Sequence, residues 1–361
     1  MLTAVFIIII LLLLIFNHTA SPAVSSKGAD RSKIIAEIQK LKIGGSDQWI
    51  TIRSENINNP IILFLHGGPG TSQLTRNRRD TKDLLDSFIV VDWDQRGAGK
   101  SFRAIKNEDR MNIRQFISDT NELTLYLLNK FNKDRLILAG HSWGSVIGAL
   151  SAAKYPELYY CYIGIGQIAD MKENEILSYR WTLDQARINN KDKNAVKALE
   201  KIGEPPYKGN WQAKTITQRR YLGKFGGEFH SSRNGAFGVV IKNLVFSSEY
   251  SLIDRINFFR GILGSMKLLW PELLEINLFE LIKEFKIPFY LVQGKYDMEA
   301  VSEIALRYFD FVKAPYKHLF IFENSAHMPN TEERDRFNAI LKELIKPSLI
   351  TSAENSVNLI A

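Results

Sequence analysis

The chain has 361 residues, 45% hydrophobic and 24% charged, with a formal net charge of +8. That length suits one large α/β domain with an insertion or two ordinary domains, and the composition excludes a disordered chain. The densest basic cluster, Arg76-Asn77-Arg78-Arg79, is followed at once by Asp80, so it reads as a solvated face and no nucleic-acid partner is expected.

The first residues differ in kind from the rest. Leu2 to Phe16 is almost wholly apolar and ends at Asn17, His18, Ser21 and Pro22. As a helix it would span ~22 Å against a hydrocarbon core of ~30 Å, between a signal peptide and a thin transmembrane helix. Residues 1–18 are therefore read as a hydrophobic anchor or signal and 19–33 as a linker. Ser21-Pro22-Ala23 is a poor cleavage site, which favours an uncleaved membrane anchor. The remainder is expected on the extracytoplasmic side, although Lys27, Arg31 and Lys33 after the segment favour the opposite orientation.

From residue 34 the pattern becomes that of an alternating α/β protein. Ile38 to Ile43 and Trp49 to Arg53 alternate apolar and polar residues around a Gly-rich turn, the mark of a β-hairpin. The apolar runs 60–65 and 88–93 read as buried parallel strands, and 113–132 as a helix with apolar residues at helical spacing. The runs 135–139, 159–165, 287–293 and 318–323 continue the strands, and a closing helix is expected over 332–345. Such alternation implies a mostly parallel twisted sheet with helices on both faces, whose site lies at the carboxyl ends of the strands. The rhythm breaks between 167 and 285, where helical patterns appear at 173–187, 194–202 and 278–285. This stretch reads as an inserted helical lid between a first core part, 34–166, and a second, 286–346, with 347–361 as a tail. Cys161, the single cysteine, lies in the run 159–165 and reads as a small buried hydrophobe.

Three Gly-rich motifs fall at strand ends. Gly140-His141-Ser142-Trp143-Gly144-Ser145 reads as strand, sharp turn and helix, with glycines two residues either side of Ser142 where close crowding demands them. His66-Gly67-Gly68-Pro69-Gly70 leaves backbone N–H groups open to a developing oxyanion. Asp94-Gln95-Arg96-Gly97-Ala98-Gly99-Lys100-Ser101 imitates a phosphate-binding loop, but Asp94 stands where such a loop needs glycine, so the stretch is a tight turn after a strand.

A serine nucleophile needs a base and an acid to orient it. Of six histidines, only His327 lies in a loop after a late strand; His141 adjoins Ser142, where the turn makes neighbouring side chains diverge. Asp297, in the loop after the preceding strand, gives the chain order Ser, Asp, His, with Glu299 as fallback acid. The oxyanion donors would be the N–H of Trp143 and one from Gly67 or Gly68.

Together HGGPG at 66–70, DQRGAGKS at 94–101, GHSWGS at 140–145, GKYD at 294–297 and the SAHMP loop resemble the proline iminopeptidase branch of the α/β-hydrolases, over roughly Lys40 to Ile345. The resemblance implies Ser142 as nucleophile, Asp297 as acid, His327 as base, and Gly68 with Trp143 as oxyanion donors. It also implies lid carboxylates that hold a free α-amine, yet the tryptophan–glutamate pattern that marks them is missing. Between Trp211 and Val245 stands one acid, Glu228, against Lys214, Arg219, Arg220, Lys224, Arg233 and Lys242. Glu173 or Glu175, with Tyr179 and Trp181, is the substitute, with a solvated helix face as the other reading.

The expected activity is that of a serine hydrolase of aminopeptidase type acting on short peptides or amides through an acyl-enzyme. A carboxylesterase with the same triad is the alternative, and a non-catalytic binding protein the remote one. No cofactor and no metal are expected.

Overall fold

The computed structural model describes residues 19–21, 30–189, 191–230 and 235–346. Its strands are the apolar runs of the sequence: β1 (Ile35–Ile43), β2 (Ser46–Ser54), β3 (Ile61–Leu65), β4 (Ile89–Asp94), β5 (Leu136–His141), β6 (Tyr159–Ile165), β7 (Phe289–Gly294) and β8 (Lys317–Phe322). They form one sheet in the order β1-β2-β4-β3-β5-β6-β7-β8. The β1–β2 hairpin joins β4 antiparallel, and every later pairing is parallel. Every residue of β3, β4, β5 and β7 is buried, whereas the edge strands β1 and β8 are half-exposed, as a sheet covered on both faces requires.

Side chains alternate between those faces with a period of two. Leu63, Val91 and Leu138 enter one core with Phe116, Leu123, Val146 and Ile147, while Ile62, Val90 and Ile137 enter the other with Phe337 and Leu341. Each such fully buried aliphatic chain contributes roughly 1.5–3 kcal/mol. The helices are α1 (Leu74–Asp80), α2 (Ile113–Phe131), α3 (Trp143–Lys154), α4 (Met171–Asp184), α5 (Lys193–Ile202), α6 (Trp211–Lys224), α7 (Gly235–Val245), α8 (Leu252–Leu273), α9 (Ser302–Phe311) and α10 (Arg334–Ala339). Cys161 is wholly buried, and burial pushes its thiol well above the ordinary range.

Between β6 and β7 the described chain is helical, from α4 to a short turn at Leu278–Leu281. The helix at 278–285 is thus shorter than its pattern suggested, and a 3-10 turn, Lys82–Leu84, precedes β4. Helix α4 begins at Met171 because the Asp170 side chain accepts the Glu173 N–H at 3.0 Å, an N-cap. Helix α8 contains Gly261, Gly264 and Pro271, which disguise it as a loop in the sequence. Its glycines are there for contact: a Cβ on Gly261 would lie 2.6 Å from the carbonyl of Gly97 in the turn after β4.

The expected membrane anchor and extracytoplasmic placement find no support in the structure. Among the described residues no helix is long and apolar enough to cross a membrane. The longest of them, α8, carries Asp254, Arg255, Arg260, Lys267 and Glu272, charges too costly for a hydrocarbon core. The segment Leu2 to Phe16 itself lies outside the described residues.

Candidate active site

The turn between β5 and α3 is as tight as its glycines imply. Ser142 sits at φ 55°, a left-handed conformation that L-residues seldom adopt. A Cβ on Gly140 would fall 2.3 Å from the Gly144 carbonyl, and one on Gly144 would fall 2.2 Å from the Leu65 carbonyl. The Ser142 N–H is bound to Ile165 O at 3.0 Å, which ties the turn to the end of β6. Trp143 opens α3, so its N–H has no acceptor within the helix.

Asp297 and His327 are brought together from the loops after β7 and β8. His327 Nδ1 donates to Asp297 Oδ2 at 2.9 Å. The same carboxylate accepts from Gln293 Nε2 and from the N–H groups of Glu299 and Ala300 at 2.8–3.0 Å, so its direction is fixed. Gly166, at φ 54°, passes beneath this pair; a Cβ there would lie 3.0 Å from the imidazole of His327. Burial disfavours the imidazolium, but Asp297, Glu299 and Glu228 outweigh it and push the His327 pKa up to about 9.

His141 diverges from Ser142 as expected but is not idle. Its Nδ1 accepts from Gln73 Nε2 at 2.8 Å, which leaves the proton on Nε2, and Nε2 donates to the main-chain carbonyl of His327 at 2.8 Å. The two rings lie 4.8 Å apart. Gln73, Gln293 and Gly166 carried no signal in the sequence, because each acts only through a neighbour brought in by the fold.

The glycine loop and the turn after β4 are joined by Gln95. Its N–H donates to His66 Nε2 at 3.1 Å, its side-chain amide donates to His66 O at 3.0 Å, and its Oε1 accepts the indole N–H of Trp143 at 3.0 Å. His66 Nδ1 then donates to Gly67 O at 2.8 Å. Gly68, at φ 121°, leaves no room for a side chain against the N–H groups of Gly70 and Thr71. On either side of Gln95, Asp94 accepts from Tyr250 at 2.6 Å and from the Lys100 N–H at 2.8 Å, and its burial lifts its pKa to about 6. Arg96 pairs with Asp119 at 2.9 Å, both wholly buried. Lys100, the residue that mimicked a phosphate-binding lysine, pairs with Asp254 at 2.7 Å.

The five further residues expected to bind substrate separate. Glu228 lies against His327: its main-chain carbonyl accepts the His327 N–H at 3.0 Å, and its charge acts on the imidazole. Glu175 is buried and bonded to Arg219, which also reaches Glu299 at 3.7 Å. Glu173 pairs with Arg307 at 2.7 Å in an exposed bridge. The Tyr179 hydroxyl donates to Leu199 O at 3.0 Å within the helical segment. Trp181 packs against Gly227, where an added Cβ would meet its ring at 2.8 Å. A cavity of about 280 Å³ is bounded by Glu175, Tyr207, Trp211 and Trp270, among others, and none of Ser142, Asp297 and His327 lines it.

A strand-to-helix turn presenting a serine, and a mostly parallel sheet whose last two strands carry an acid and a histidine, define the α/β-hydrolase architecture. The α/β-hydrolase fold family matches residues 60–201. The chain is 36% identical over 306 residues to the probable aminopeptidase YbaC of Bacillus subtilis, covering 84% of this chain and 95% of that one. The chain therefore belongs to the α/β-hydrolase family, is a hydrolase, and resembles the proline iminopeptidases. A proline iminopeptidase of Saccharolobus solfataricus is 25% identical over 291 residues, covering 80% and 85% of the two chains. The solved proline iminopeptidase-related protein of Thermus thermophilus superposes with a TM-score of 0.60 at 16% identity, covering 86% of this chain and 96% of the other.

Proposed function

We propose that the protein is a serine hydrolase of aminopeptidase type, with segment 167–285 as a lid that completes its substrate pocket. The observation that carries this is the buried His327–Asp297 pair, together with a serine at a strained strand-to-helix turn whose preceding residue, His141, is bonded to the His327 carbonyl. In this reading Ser142 Oγ attacks the carbonyl carbon of an amide and His327 Nε2 takes the hydroxyl proton. The oxyanion meets the N–H groups of Trp143 and Gly68. His327 then gives its proton to the leaving amine, and a water activated by the same imidazole releases the acid from the acyl-enzyme.

Substrates with a free α-amine are favoured by charge. Arg219 is paired with Glu175 and Glu299, and the charges of Glu299 and Glu228 act on His327, so carboxylates outnumber cations among these groups despite the basic sequence of the lid. The names of the relatives agree with that class. A fluorophosphonate probe should label wild-type protein and fail on Ser142→Ala, and folded wild-type protein that resists the probe would sink this reading. Prolyl and alanyl arylamides should turn over faster than short acyl esters. Turnover of esters alone would establish the carboxylesterase reading instead, which the occupied state of Glu175 favours.

A further inference from the structure

Four hydrogen bonds connect the helical segment to the loops of Asp297 and His327 from outside the sheet. Asn174, 2% exposed on α4, donates from Nδ2 to Glu299 O at 2.8 Å and accepts the Val301 N–H on Oδ1 at 2.7 Å. One side chain thus brackets the loop that follows Asp297. Beyond the end of α6, Gly227 O accepts the Met298 N–H and Glu228 O accepts the His327 N–H, both at 3.0 Å. The approach is close, since a Cβ on Gly227 would fall 3.0 Å from Met298 Cβ.

We propose that Asn174 and the Gly227–Glu228 main chain are positioning residues of the reaction, so that the helical segment holds the acid and the base in register as well as covering them. The physical reason is that both loops leave the sheet at strand ends, where the ladder no longer fixes the backbone. The His327 peptide has two outward groups: its carbonyl is held by His141 from the sheet side and its N–H by Glu228 from the helical side. With both held, the imidazole can rotate only about its own side-chain bonds, and Asp297 fixes those. The loop of Asp297 has the same two-sided support, with Gln293 beneath and Asn174 above. Movement that admits substrate must then occur away from residues 174 and 227–228, because displacement there would separate Asp297 from His327. Errors of about an ångström in such placement cost orders of magnitude in rate.

The proposal rests on the serine-hydrolase reading, and its test separates the two. Asn174→Ala in the full chain, assayed with a fluorophosphonate probe from pH 5 to 10, should lower the limiting labelling rate at least tenfold with the probe's half-saturation changed less than threefold. The pH midpoint should fall by half a unit or more, as Asp297 loosens its hold on His327 while Glu299 and Glu228 remain. Wild-type limiting rate and midpoint in the folded variant would overturn the proposal. Should Asn174→Ala fail to fold, amide exchange on wild-type protein decides it. The N–H groups of Met298 and His327 should exchange as slowly as those of α6, and exchange at the rate of open loops would overturn the proposal. Absence of labelling in the wild type would count against the serine hydrolase alone, and exchange would still judge the bridge.

Discussion

The imidazole of His141 donates to the carbonyl of His327 at 2.8 Å, so the residue before the candidate nucleophile holds the main chain of the candidate base. His141→Leu removes that donor and leaves a buried carbonyl unsatisfied. We expect kcat/KM to fall about 10- to 100-fold, equivalent to roughly 1.4–2.7 kcal/mol of transition-state stabilisation. His141→Gln, which retains a donor, should recover part of the loss. Equal activity in His141→Leu and wild type would show that the bond does nothing for the reaction.

Gln95 joins three motif loops, so its loss should register in stability as well as rate. Gln95→Leu leaves the indole N–H of Trp143 and the carbonyl of His66 without their present partners. Each orphaned buried group costs about 1–3 kcal/mol. Urea unfolding should show a lower midpoint with an unchanged slope.

The pH dependence follows from the surroundings of His327. A general base acts in its neutral form, so probe labelling should rise through the alkaline range with a midpoint near 9 rather than 6.5. Glu299→Gln removes one charge that favours the imidazolium, so the midpoint should move down and labelling at pH 7 should quicken. Linkage gives the matching stability trend. A histidine whose folded pKa is raised adds stability that is complete below its unfolded pKa of about 6.5 and is lost as pH rises through about 9. Thermal melts from pH 6 to 10 should descend accordingly, and flat melts would contradict the assignment.

The ion pair between Arg96 and Asp119 is wholly buried, and Gln48 and Gln115 also donate to the carboxylate. Arg96→Met should cost about 3–5 kcal/mol because it strands a charge. Arg96→Met combined with Asp119→Leu should be less destabilised than Arg96→Met alone. An additive double mutant in thermal or chemical denaturation would show that the two side chains are not coupled.

The strands were legible because four of them are buried on both faces and are built around apolar runs, such as Ile61 to Leu65. Ser142, Asp297 and His327 were legible as candidates because each lies next to such a run. The helices between β6 and β7 were harder to read. Helix α8 holds a proline and two glycines, of which Gly261 is pressed against the turn after β4, and α6 has little apolar periodicity because it also carries the buried Gln218 and the half-buried Arg219. Arg219, one of the six bases between Trp211 and Val245, is paired with Glu175 and Glu299, two acids that lie outside that stretch of sequence. Asn174 lay between two glutamates that drew attention for their charge, while its own role depends on a loop 125 residues away.

The two-sided hold on the His327 peptide bears on the order in which the protein is made. When Ser142 leaves the ribosome, the partners at 228, 297 and 327 have yet to be synthesised, and the bond from His141 to His327 spans 186 residues. A growing chain can therefore carry a complete glycine loop and serine turn with no means of using them. On the serine-hydrolase reading, hydrolysis would begin only after β8 has been added beside β7 and the last loop has closed, so an unfinished chain would be inert.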